Sequence, residues 1–171
     1  MHVFPIIGIG IGLLIASIGF GLSFFLEPLI VALLVVASIA IITGIHHTDG
    51  LADFADGLMT RGTKEKKRKA MKDLSTGSAG IVSVVLSIVG VIIALSLTTG
   101  YELFQAILLS EILAKFSMVL MASIGNSAAV GSNSPFMQIM KDKRRLAAAG
   151  VITIIPLVVI CLLYTSDAAD E

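Results

Sequence analysis

The sequence predicts an all-α integral membrane protein, a polytopic helical bundle of about five transmembrane helices. Three observations predict it. Apolar residues make up 56% of the 171-residue chain, charged residues only 14%, and the mean hydropathy is +0.99. A soluble domain carries about 25% charged residues, so this chain has too little charge to cover a water-facing surface. Five continuously apolar runs, roughly Ile6–Phe25, Leu29–Ile45, Ala79–Leu97, Leu103–Ile124 and Leu146–Leu163, each approach the ~20 residues a helix needs to cross a bilayer. They show no apolar/polar alternation, which argues against barrel strands.

The first run carries Gly8, Gly12 and Ala16 at four-residue spacing, a stripe that lets a neighbouring helix approach closely. It lacks a basic leader and is too long for a cleavable signal peptide. Glu27-Pro28 turns the chain into the second run, and Thr98-Thr99-Gly100 turns the third into the fourth. Seven of the 12 basic residues (Arg61, Lys64, Lys66, Lys67, Arg68, Lys69, Lys72) lie between runs two and three, and Lys141, Lys143, Arg144 and Arg145 between runs four and five. Alternating spans put both segments on one side, and the positive-inside rule makes that side cytoplasmic, as expected of a multi-pass protein of the cell (inner) membrane. The remaining cation, Lys115, forms an i, i+4 pair with Glu111 inside run four, where charge is costly and is either paired for structure or used on a substrate. Asn126, Ser127, Ser132 and Asn133 form a polar cytoplasmic loop. With 12 Lys+Arg against 12 Asp+Glu, nothing points to nucleic acid, and Cys161, the only cysteine, excludes internal disulfides and cysteine metal clusters. Residues 1–164 read as a single transmembrane domain with an acidic helix and loop at 46–78. Residues 165–171 read as a non-native tail, on a chain expected to lack both natural ends.

The informative stretch is His46-His47-Thr48-Asp49-Gly50-Leu51-Ala52-Asp53-Phe54-Ala55-Asp56-Gly57-Leu58. Spacings of four and three put Asp49, Asp53 and Asp56 on one helical face, joined by His46. Like charges so stacked repel each other, which calls for a compensating cation. Hard oxygen ligands suit Mg²⁺ or Mn²⁺ bound together with substrate phosphates. Gly50 and Gly57 cost the helix about 1 kcal/mol each and would leave room for a phosphate. The bland reading is a solvated interfacial face, which suits one Asp better than three; His46 and His47 are polar edge residues or functional ones. Next come Met71-Lys72-Asp73 and Ser75-Thr76-Gly77-Ser78-Ala79-Gly80, opening run three. Asp73 is a candidate further ligand. Lys72 and the free N–H groups near Gly77 are candidate phosphate contacts, against a plain cap and turn. Arg61 is the better phosphate clamp, and Lys64 to Lys69 read as a solvated loop facing lipid headgroups.

The stretch from Thr43 to Leu58 closely resembles the signature of the cobalamin synthase (adenosylcobinamide-GDP ribazoletransferase) family, a Gly-rich entry and His followed by D-G-L-A-D-x-x-D-G-L. Met71-Lys72-Asp73 with Gly77 and Gly80 matches M-K-D-x-x-x-G-x-x-G, and Phe4-Pro5-Ile6-Ile7-Gly8 resembles the start of an early family helix. One departure is Asn126-Ser127-Ala128-Ala129, where the family often carries an arginine. The resemblance implies transfer of the adenosylcobinamide-phosphate group from adenosylcobinamide-GDP to α-ribazole or its 5′-phosphate, with release of GMP. It implies Mg²⁺ or Mn²⁺ on Asp49, Asp53 and Asp56, with Asp73 added and His46 as orienter or base. The expected partners are those two substrates and the bilayer, with a second copy of the chain as a candidate. One alternative is a CDP-alcohol phosphotransferase, whose D-x-x-D-G-x-x-A-R is nearly met from Asp53 to Arg61, although Ala70 and Leu74 stand where Gly and Asp are required. The other is a cation transporter, disfavoured because such sites lie near the midplane.

Overall fold

The computed structural model describes residues 4–126 and 134–167. Eight α-helices and no strand occur among them: α1 (Phe4–Leu22), α2 (Pro28–Thr43), α3 (His46–Met59), α4 (Lys64–Ala70), α5 (Ser78–Ser96), α6 (Gly100–Ile124), α7 (Ser134–Met140) and α8 (Lys143–Asp167). Four of them, α1, α5, α6 and α8, are long and apolar enough to cross a membrane, and α2 with α3 makes a fifth if that bent pair counts as one span. The chain is thus a helical multi-pass membrane protein. Ser127, Ser132 and Asn133 of the expected polar loop, and the tail beyond residue 167, lie outside the described residues.

The helices group into two compact units, residues 21–99 and residues 1–20 with 100–171. In the first, α2 and α3 both pack on α5, and α4 packs on α3. Pro28 occupies the first turn of α2, where its missing N–H costs nothing. Between the second run and the acidic stretch the helix is broken. Gly44 adopts φ 74, and α2 and α3 meet at a bend of 93°. A side chain at positive φ is strained, so glycine is the residue that permits this corner. The basic loop also departs from expectation. Residues 64–70 form α4, opened by Thr63, whose hydroxyl accepts the Lys66 N–H. Helix α5 buries only Gly80, while Ile81, Leu86 and Ile93 stay 54–66% exposed. So much uncovered apolar surface on a 19-residue helix calls for lipid.

In the second unit α1 lies on α6 through its small-residue stripe. A Cβ on Gly8 would come within 2.8 Å of the Glu111 carbonyl oxygen, and one on Gly12 within 3.0 Å of Leu108 Cδ1. The expected close approach is therefore present, and α6 is the partner. Glu111 and Lys115 pair at 3.5 Å with both side chains buried. Among the described residues the Glu111 Oε2 accepts no hydrogen bond. Helices α7 and α8 complete the unit around Val119, Ala122, Met140 and Ala149.

Candidate functional site

The site is built on α3, which starts just after the Gly44 corner and carries His46, Asp49, Asp53 and Asp56 on its four turns. Ala52, Ala55 and Gly57 are its buried residues. At its far end the Thr60 N–H and hydroxyl both donate to the Asp56 carbonyl oxygen, at 3.0 and 2.7 Å. Lys67 Nζ donates to the Leu58 carbonyl oxygen at 3.0 Å. A basic side chain thus satisfies a terminal carbonyl and ties α4 to α3.

The three aspartates face different surroundings. Asp49 is exposed and Asp53 half-buried, and neither carboxylate makes a hydrogen bond or ion pair among the described residues. Asp56, half-buried, is fully engaged. Its Oδ2 accepts the Gly77 N–H at 2.7 Å and its Oδ1 the Gly80 N–H at 2.8 Å. These distances are those of charge-assisted bonds. The backbone amides around Gly77, expected to be open to a phosphate, thus hold one of the protein's own carboxylates. Asp73 stands opposite with its Oδ1 on the Ser75 N–H at 3.1 Å. Asp56, Met59, Thr60, Ala70, Asp73, Ser75, Gly77, Ser78 and Ala79 enclose an open cleft of about 330 Å³.

Each remaining expected residue has a definite place. His46 is exposed, with its ring beside Gly44. Arg61 is exposed just beyond α3. Lys72 lines a second cleft with Glu65, Arg68, Lys69 and Asp73. Gly50 faces open space, so room for a ligand exists there. Gly57 does not offer it: a side chain there would collide with Met71 and approach the Lys67 carbonyl oxygen, so the space is filled by α4 and its exit. Glu65, at the start of α4, has its carboxyl held below the usual range by its own backbone N–H, by the Thr63 hydroxyl and by Arg68.

Among the described residues no three His, Cys, Asp or Glu side chains converge as a ready-made metal cage. The donor set nonetheless fits Mg²⁺, which typically takes one or two carboxylates and completes its shell with water and substrate phosphate. Asp49 and Asp53 are two uncompensated carboxylates one helical turn apart. Sequence reasoning missed the grip of Asp56 on Gly77 and Gly80. Its signal was present: α5 opens on glycine, which carries no side chain to cap the helix.

The profile of a protein family described as cobalamin-5-phosphate synthase matches residues 1–169. The chain is 35% identical over 150 residues to a protein of Methanocella arvoryzae named adenosylcobinamide-GDP ribazoletransferase, covering 86% of this chain and 56% of that protein. A protein of the same name from Pyrococcus abyssi is 36% identical over 135 residues, 79% of this chain and 56% of its own length. The chain thus spans about half the length of these curated relatives. No solved structure matches it.

Proposed function

The chain belongs to the cobalamin-5-phosphate synthase family, and from that membership we propose that the protein transfers the adenosylcobinamide-phosphate group of adenosylcobinamide-GDP to α-ribazole or its 5′-phosphate. In this reaction a ribazole hydroxyl attacks the cobinamide-side phosphorus. The bond from that phosphorus to the GMP oxygen breaks, GMP leaves, and the hydroxyl proton passes to a base. The observation that carries the reading is the coincidence of the family match with two carboxylates on α3 that have no partner among the described residues, on the helix whose Asp56 walls a cleft with Asp73.

Phosphoryl transfer asks a protein chiefly for in-line positioning and neutralisation of phosphate charge. Asp49 and Asp53 are the proposed holders of Mg²⁺, with Mn²⁺ as a substitute and Asp73 as an added ligand. When bound, the ion would neutralise diphosphate oxygens. His46, on the same face as Asp49, is the proposed orienter or base for the hydroxyl. Arg61 and Lys72 are exposed cations flanking α3 and the Asp73 turn, and they are the proposed clamps on the substrate's diphosphate. The open side of Gly50 leaves space for it. We place this site on the cytoplasmic face of the cell membrane, because seven of the chain's 12 basic residues follow α3 directly, between Arg61 and Lys72.

The test is release of radiolabelled GMP from adenosylcobinamide-GDP by protein purified in detergent, with α-ribazole supplied. The expected outcome is GMP release that needs the ribazole acceptor, is abolished by EDTA and returns with Mg²⁺. Transfer to an alcohol from a CDP-linked donor, with none from adenosylcobinamide-GDP, would overturn the assignment. Undiminished turnover in EDTA would remove the ion.

A further inference from the structure

We infer that Asp56 is a positioning residue: its carboxylate clamps the start of α5 and so sets the wall of the cleft, while ion binding is left to its neighbours on α3. The inference rests on the phosphoryl-transfer reading of that cleft.

Helix α5 begins without a local cap. Gly77, at its N-cap, has no side chain to accept from the first turn, and the first backbone bond of the helix is Ile81 N–H to the Gly77 carbonyl. The amides of Gly77 and Gly80 would be orphaned. Asp56, 21 and 24 residues away in sequence, takes both, one on each oxygen, at 2.7 and 2.8 Å. A carboxylate here also meets the positive end of the helix dipole. The same placement shows in the space around the two glycines. A Cβ on Gly77 would lie 2.5 Å from Asp56 Oδ1, and one on Gly80 2.6 Å from Oδ2 and 3.0 Å from the Ala52 carbonyl oxygen. The two glycines are therefore the seat of this carboxylate, and the separated motifs D-x-x-D-G and G-x-x-G are two halves of one contact.

The consequence reaches the chemistry through Asp73. Asp56, Asp73, Ser75, Gly77 and Ser78 line the same cleft, so the clamp fixes where the Asp73 turn stands relative to α3. The N–H dipoles that hold the Asp56 oxygens point positive ends at them, an environment made for an anion and against a cation. Among the described residues Asp49 and Asp53 have no such donors.

Hydrogen–deuterium exchange on the detergent-purified protein, free of divalent ions, reads the clamp without any turnover. Slow exchange is expected at the amides of residues 77 and 80. Asp56→Asn keeps one acceptor of two and should speed that exchange by roughly tenfold or more. Gly77→Ala and Gly80→Ala, which push the carboxylate off its seat, should do the same, and Asp49→Asn should not. Unchanged exchange at both amides in Asp56→Asn and in Gly80→Ala would overturn the clamp, provided the remaining helices keep their protection.

The activity arm separates positioning from ion binding. Asp56→Asn and Gly80→Ala should lower kcat with an unchanged Mg²⁺ activation constant, and Asp49→Asn should raise that constant. A constant raised in Asp56→Asn as far as in Asp49→Asn would make Asp56 a ligand and overturn the inference. If the wild-type protein releases no GMP, the functional reading fails, and the exchange result still decides the clamp.

Discussion

Asp49 and Asp53 stand one turn apart on α3, Asp49 in its first turn. Like charges at i, i+4 cost an isolated helix a few tenths of a kcal/mol, and neither carboxylate finds a compensating partner among the described residues. In the proposed function a bound ion offsets this repulsion. We predict that Asp49→Asn and Asp53→Asn each lower GMP release by about 100-fold or more while membrane insertion and yield are unchanged. Measured kcat/KM in detergent, with expression followed in parallel, checks this, and full activity in both variants would remove the ion-binding role of α3. The glycines of the same helix show how far single residues can be read. Gly50 and Gly57 look alike in sequence, each following an aspartate and preceding a leucine. Only packing separates them, since Gly50 faces open space and Gly57 abuts Met71.

Among the elements, α1 shows spacing turned into contact. Gly8 and Gly12 meet α6 at Leu108, Glu111, Ile112 and Lys115, so the stripe also covers the backbone beside the buried ion pair. Gly10 lies on another side of α1, where a Cβ would meet nothing within 4 Å. Gly8→Val should therefore destabilise the helix pair by about 1–3 kcal/mol, the usual cost of forcing extra atoms into a packed contact. Gly10→Val should change stability little. Thermal unfolding of both variants in the same detergent tests the difference, and equal losses would refute the α1–α6 contact. The corner at Gly44 is the element-level feature that sequence reading missed. The apolar run continues through Ile45, so hydrophobicity gives no sign of a break, and only the positive φ at Gly44 reveals it.

For the molecule as a whole, the distribution of charge carries the orientation. The segments Arg61–Lys72 and Lys141–Arg145 hold 11 of the 12 Lys and Arg residues. We predict that both segments face the cytoplasm. Single cysteines placed in each, after replacement of Cys161, should be inaccessible to an impermeant maleimide in intact cells and labelled after permeabilisation. Labelling of one segment from outside would refute the alternating topology. The orientation is read from where the Lys and Arg residues fall between the spans.

The membrane class, the start of a helix at Pro28, the acid spacing on α3 and the family signature were all legible in the sequence, because each depends on local composition or short-range periodicity. What each acid does was not legible. Asp49, Asp53 and Asp56 are equivalent in a helical projection, and the bend at Gly44 with the packing of α3 on α5 makes them unequal. That packing brings the amides of Gly77 and Gly80, more than 20 residues away, onto Asp56 alone. A periodicity of 3.6 residues can say which side chains share a face. The partners that the face meets are set by contacts between distant segments, and those appear only when the chain is folded.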